Sequence, residues 1–212
     1  SKGYTAQHFS VTIVTVMLNN FFKTGGNFMK ATDTLRQEHQ AVKLMIQIME
    51  AMSFRIRAGR SVQRQDLDNM IDFLKVFVDR CHHAKEEEIL FPALEDAGVS
   101  KDGGPIGEML AEHVLGREYI RSINRALLNY GSGGASDPME LTNYIHAYID
   151  LLNEHILKEN EVLFPLADRL LTEEIQDGLN YQFEDLEEKI VGLGKHDELH
   201  KMLEKMSDTY LV

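Results

Sequence analysis

"HHAKEEEILFP" occupies His82–Pro92, and "HILKENEVLFP" occupies His155–Pro165. In both stretches a glutamate follows the histidine by four positions, and Leu-Phe-Pro comes behind it. A helix turns ~100° per residue, so residues four apart share a face. His82 with Glu86, and His155 with Glu159, therefore project together. Apolar residues precede both pairs: Phe73, Leu74, Phe77 and Val78 before His82, and Leu141, Tyr144, Ile145, Tyr148 and Ile149 before His155. A duplicated packing unit accounts for the apolar letters. It does not account for a histidine and a glutamate recurring at one offset on a core-facing stripe.

The repeat extends outward. "RQEHQAV" carries His39 and "LAEHVLG" carries His113, 74 positions apart, while His82 and His155, Glu86 and Glu159, and Pro92 and Pro165 are each separated by 73. Around these residues the pattern is helical. Leu35, Val42, Met45, Ile46, Met49 and 52–56 form a stripe of period 3.6, with Thr32 or Asp33 as the expected N-cap and Gly59 as the stop. A second helix is predicted over about 64–96 and a third from the "KDGGP" turn at 101–105 to about Tyr130. The break "GSGGASDP" at 131–138 separates it from a fourth, over about 139–171. The chain thus reads as all-α: an antiparallel up-down four-helix bundle with a two-fold internal pseudo-repeat, plus C-terminal helices. The expected divisions are an N-terminal extension over 1–30, the bundle over 31–171 and a helical tail over 172–212, broken around "VGLGK" at 191–195.

One histidine on such a stripe is best read as a satisfied core residue. Six coincident positions with internal symmetry call for a shared partner, because buried His–Glu pairs are costly unless something neutralises them. A metal is the economical partner, since imidazole nitrogen and carboxylate oxygen both suit iron, manganese or zinc. Four His and two Glu fit two ions better than one. Each ion takes two imidazoles, the glutamates bridge, and coordination left incomplete distinguishes a reactive centre from a structural one.

The neighbours carry plainer expectations. His83 lies ~100° around the helix from His82 and is not expected to be a ligand. Glu87 and Glu88 read as solvated or as supporting the ligands, because only Glu86 aligns with Glu159 whereas Glu87 aligns with Asn160. Glu38 and Glu112 precede a histidine of the set in both halves and could bond to a neighbouring ligand, but a solvated face is the simpler reading. Tyr119, Tyr144 and Tyr148 could reach the centre and donate a hydrogen bond or a radical, but core packing is the simpler reading; Cys81 reads as a small buried residue, although a thiol beside a redox metal could be oxidised. Pro92 and Pro165 are expected to bend their helices, with Leu90, Phe91, Leu163 and Phe164 closing one end of the site. His196 and His200 in "HDELH" suit surface zinc, but a solvated helix is the simpler reading.

Composition narrows the partners. The 212 residues are 43% hydrophobic with a net charge of -12, which supports a real core and argues against nucleic acid and anionic membrane. The single cysteine fits a reducing, cytoplasmic location. No apolar run reaches the ~20 residues that span a bilayer. "FSVTIVTVMLNNFF" at 9–22 is apolar and β-branched but lacks the features of a secretory signal. Met29 as the natural start, with 1–28 lying upstream, is weighed equally with a genuine extension that packs on the bundle.

The paired HxxxE…LFP motifs, each preceded by EH on the previous helix, resemble the hemerythrin HHE cation-binding family over about residues 31–170. The resemblance implies an up-down four-helix bundle holding a non-haem di-iron centre, oxo- or hydroxo-bridged, with His39, His82, Glu86, His113, His155 and Glu159 as ligands. The set departs from the invertebrate oxygen carriers, which use five His and an Asp, and is closer to bacterial di-iron proteins of iron–sulfur cluster repair and nitric-oxide response. Binding or sensing of O2, NO or peroxide is the leading expectation. Turnover of peroxide or NO, a contribution to iron–sulfur cluster repair, and a structural metal-binding interaction module are the alternatives. Protein partners and oligomeric state are left open by the sequence.

Overall fold

A computed structural model describes residues 29–130, 138–190, 192 and 194–211. The expectations for residues 1–28 lie outside these described residues. Helix α1 is Ala31–Arg57, and α2 is the continuous run 64–96. Helix α3 is Pro105–Asn129 and α4 is the run 138–170. The tail forms α5, Glu173–Ile190, and α6, Lys195–Tyr210. Among the described residues there is no strand. Helix α1 packs against α2 and α4, and α3 packs against the same two, which closes a ring of contacts. Both tail helices pack on α1 and α2.

The N-cap of helix α1 lies two or three residues earlier than the sequence suggests. It is Lys30, and Asp33 reaches back to accept the Lys30 backbone N–H at 3.2 Å. Thr32 lies within the first turn and its hydroxyl donates to Asp168 instead. At the other end Gly59 takes φ 69°, a left-handed conformation that glycine adopts without steric cost.

Helices α2 and α4 change winding where the repeat lies. Phe73–His83 and Glu86–Leu90 in α2, and Glu159–Leu163 in α4, are π-helical. Phe91 and Phe164 then donate their N–H groups to Glu86 and Glu159, five residues back. For the two short segments at Glu86–Leu90 and Glu159–Leu163 the cause is legible in Leu-Phe-Pro. Pro92 and Pro165 have no N–H, and their rings crowd the carbonyl four residues back, so a wider turn ahead of each proline relieves the clash. Both prolines sit in the first turn of the α segment that follows, where a missing donor costs least.

The core is divided in two. One apolar cluster gathers Met45, Met49, Met52, Phe73, Phe77, Ile123, Ile145 and Tyr148, with Leu203 and Met206 from α6. The other gathers Leu35, Leu90, Phe91, Leu94, Ile106, Phe164 and Phe183. Between them lie buried polar side chains: Glu38, His39, His82, His83, Lys85, Glu86, His113, His155 and Glu159. Truncating one large anchor, Phe73→Ala, should cost ~3–5 kcal/mol.

Candidate metal centre

All six sequence-predicted donors meet in this polar layer. His39 Nε2 lies 3.0 Å from His82 Nε2, and His113 Nε2 lies 3.1 Å from His155 Nε2. The ring planes of the two pairs are inclined by 57° and 64°. Two nitrogens bound at right angles to one ion, each at ~2.1 Å, stand ~3 Å apart. The glutamates tie the pairs together. Glu159 places Oε2 3.0 Å from His39 and Oε1 3.1 Å from His155. Glu86 places Oε1 3.6 Å from His82 and Oε2 3.4 Å from His113. Each carboxylate thus spans from one histidine pair to the other.

The chemistry of the layer fits cations at its centre. All four oxygens of Glu86 and Glu159 are buried and none has a hydrogen-bond partner, although imidazole nitrogens lie close by. Nitrogen and carboxylate donors converge there, an arrangement expensive in a metal-free core and satisfied by a cation. Burial raises the Glu86 carboxyl well above its usual range, and the neighbouring Glu159 raises it further. Burial raises Glu159 too, but His155 overcomes it and holds that carboxyl ionised.

The outer ring nitrogens fix which way each imidazole faces. His82 Nδ1 donates to Glu38 at 2.7 Å, His155 Nδ1 to Glu112 at 2.9 Å, and His113 Nδ1 to Glu87 at 2.7 Å. His39 Nδ1 has the weaker amide oxygen of Asn160 at 3.3 Å. With the protons held outside, the Nε2 lone pairs point inward. Glu38 and Glu112 are therefore not a solvated face, as their positions beside the histidines suggested. Glu38 is 6% exposed and Glu112 is half-buried. Their other oxygens accept from Lys85 and Lys158, a second pair 73 residues apart. That recurrence was the available signal that both glutamates face inward. Burial raises the Glu38 carboxyl, but Lys85 and then His82 outweigh it and keep it ionised.

The halves differ in their surroundings. Glu87 is clamped by Arg117, whose Nη2 donates at 2.7 Å and whose Nε donates to Asp79 at 2.6 Å; its counterpart Asn160 is neutral. His83 is buried, with a nitrogen within 4.8 Å of donor atoms of Glu86, His113 and His155. Its ring nevertheless stacks on His113, centroids 3.8 Å apart and planes inclined by 17°. Imidazole binds a metal in its own plane, and planes so nearly parallel do not meet within bonding distance. His83 is thus a wall of the site rather than a second donor to the ion that His113 faces. Phe164 stacks on His39 and Phe91 on His113, so the two Leu-Phe-Pro motifs do close one end.

Other sequence features fall elsewhere. Cys81 is buried and a free thiol, and burial raises its pKa beyond the usual range. His196 and His200 face each other at 3.3 Å against Phe77, so this pair lies on the packed side of α6 rather than on a solvated one. Among the described residues, no helix is long and apolar enough to cross a membrane.

Comparison with known proteins agrees with this geometry. The family described as "Hemerythrin HHE cation binding domain" matches residues 30–167. The iron-sulfur cluster repair protein YtfE of Escherichia coli O1:K1 / APEC is 38% identical over 93 residues, covering 41% of this chain and 40% of its own length. The protein of the same description from Enterobacter sp. (strain 638) is 38% identical over 88 residues, with the same coverage. The chain therefore spans well under half the length of these curated relatives. No solved structure matches. The family match covers more than half of the chain and spans all six candidate donors, and the chain belongs to the hemerythrin HHE cation-binding domain family.

Proposed function

We propose that the protein holds two iron ions, one at His39 and His82 and the other at His113 and His155, with Glu86 and Glu159 bridging them. We further propose that this centre binds or senses a small oxidant or nitric oxide. The observation that carries the reading is the convergence of four inward Nε2 atoms on four partnerless carboxylate oxygens. The donor set also suits manganese or zinc. Iron is favoured by family membership and by relatives named for iron–sulfur cluster repair. The ring of contacts among α1–α4 supports the up-down, antiparallel four-helix arrangement, with 31–171 as the metal-bearing unit and 172–212 as a tail laid on it.

Bound iron would supply Lewis acidity and one-electron chemistry. The chain's own residues set the conditions for it. Glu38, Glu112 and Glu87 hold the outer imidazole protons, so the inward nitrogens stay available as donors. Phe91 and Phe164 cover the site and exclude bulk water on their side. The test is the visible spectrum of iron-loaded protein, reduced anaerobically and then exposed to O2, NO or peroxide. A new absorption on exposure supports binding, and continued consumption of the small molecule with a reductant present would identify turnover.

A second reading, iron–sulfur cluster repair, is favoured by the relatives' printed names. Iron-loaded protein incubated with an enzyme whose [4Fe–4S] cluster has been damaged should then restore its activity. Equal recovery with metal-free protein would remove this reading.

A further inference from the structure

A lysine stands behind each half of the site, and different parts of the chain serve the two. In the second half Lys158 Nζ donates to Glu112, which holds His155, and to Glu108 at 2.6 Å. Glu108 and Glu112 lie one turn apart on α3, so a single helix supplies both carboxylates. The repeat places Glu108 opposite position 34, 74 residues earlier, and that position is a threonine. Its hydroxyl turns to Asn180 at 3.2 Å. Lys85 therefore has Glu38 from α1 but no second carboxylate from the same helix. The tail provides it: Glu187 Oε2 accepts from Lys85 Nζ at 2.7 Å.

Helix α5 is built to bring that carboxylate in. Leu179, Phe183 and Leu186 recur on one face and are buried in the second apolar cluster. Glu187 follows Phe183 by four residues, so it sits at the edge of this stripe, where a carboxylate is costly unless paired. Its other oxygen lies 3.8 Å from His196 Nδ1 of α6. Lys85 is 1% exposed and the Glu187 side chain 28%, whereas Lys158 and Glu108 are 35% and 56% exposed. Contacts thus run without a gap from the tail to the centre: Glu187 to Lys85, Lys85 to Glu38, and Glu38 to His82 Nδ1 at 2.7 Å. Two carboxylates and one ammonium leave one net negative charge behind His82. Without Glu187 there would be none, and Glu38 alone would have to answer the buried ammonium. Less of its charge would then remain to polarise the His82 N–H.

We infer that the C-terminal tail completes the metal centre: Glu187 is a positioning residue that, through Lys85 and Glu38, keeps His82 a strong donor to its ion. This rests on the two-iron reading above. Glu108 is not needed in the same way, because water reaches Lys158.

The test uses full-length, iron-loaded protein and Glu187→Gln, which keeps the size of the side chain and leaves an amide oxygen for Lys85. Three quantities are read: the midpoint potential of the centre, followed through its visible absorption; the rate at which a chelator extracts ferric iron; and the melting temperature of metal-free protein. Losing a negative charge disfavours the ferric state, so the potential should rise. Extraction should become roughly three- to tenfold faster, less than the ~10–100-fold expected for losing an outer hydrogen-bond partner itself. Glu108→Gln should leave potential and extraction rate as in wild type. A Glu187→Gln protein that melts lower yet keeps the wild-type potential and extraction rate would overturn the inference alone and make Glu187 a docking contact only. Equal changes in Glu187→Gln and Glu108→Gln would also overturn it, since the charge of the surroundings would then suffice without the contacts through Lys85. Wild-type protein that takes up no iron would overturn this inference together with the two-iron reading.

Discussion

Glu38 and Glu112 occupy equivalent places in the repeat but stand in different solvent, and the difference sets what each is worth. Lys85, which Glu38 and Glu187 hold between them, is 1% exposed, whereas the side chain of Lys158 beside Glu112 is 35% exposed. Removing one partner of a buried pair strands the other charge, but an exposed lysine simply rehydrates. Glu38→Ala should therefore cost about 3 kcal/mol in denaturant unfolding of metal-free protein, tempered by Glu187, which remains with Lys85. Glu112→Ala should cost about 1 kcal/mol or less. Either change frees an outer imidazole proton and should weaken metal binding about 10- to 100-fold, read by competition with a chelator. At this scale the convergence of the six candidate donors was legible because the repeat duplicates them. The supporting glutamates were not, since a residue next to a ligand lies ~100° away on an ideal helix and reads as outward-facing. Their own recurrence as EH, 74 positions apart, and that of their lysine partners, 73 apart, are the marks the sequence carries.

The helices carry their own signature in the π segments that open at Glu86 and Glu159. Proline was legible in the sequence as a bend; the wider winding ahead of it was not, because apolar periodicity does not distinguish one π turn from an α turn. Pro92→Ala restores a donor for the Glu88 carbonyl and should let that turn tighten toward α geometry, rotating Glu86 away from the centre. Bound iron should then fall while far-ultraviolet circular dichroism stays constant. The tail helices extend the account. Helix α5 brings Glu187 to Lys85, and α6 docks His200 beside His196 and Phe77. Burial first, and then His196, lowers the His200 pKa to about 4. Its unfolded value is ~6.5, so the unfolded chain takes up the proton first. Stability is lost as pH falls through the window from about 6.5 to about 4 and levels below it. Thermal unfolding of wild type and His200→Asn across this window should converge at low pH, with wild type losing on the order of 1–2 kcal/mol more.

Across the molecule, a polar layer is held between two apolar clusters, and neither cluster can replace what that layer lacks. The partnerless oxygens of Glu86 and Glu159 make the metal-free core carry a penalty that a cation removes. Metal binding is then folding free energy, and a chelator should lower the melting temperature of loaded protein toward that of the metal-free form. The helical class and the limits of α1–α4 were legible because apolar stripes and Gly/Pro breaks mark them. Docking of the tail was not, since α5 and α6 read as amphipathic helices that many surfaces could cover. The central claim is a pair of iron ions bridged by Glu86 and Glu159, and the most direct measurement is iron per chain combined with low-temperature Mössbauer spectroscopy of 57Fe-loaded protein. The account predicts about two irons per chain, magnetically coupled to a diamagnetic ground state when both are ferric, with coupling and stoichiometry both reduced in Glu86→Ala. One iron per chain, or two that behave as isolated paramagnets, would contradict it.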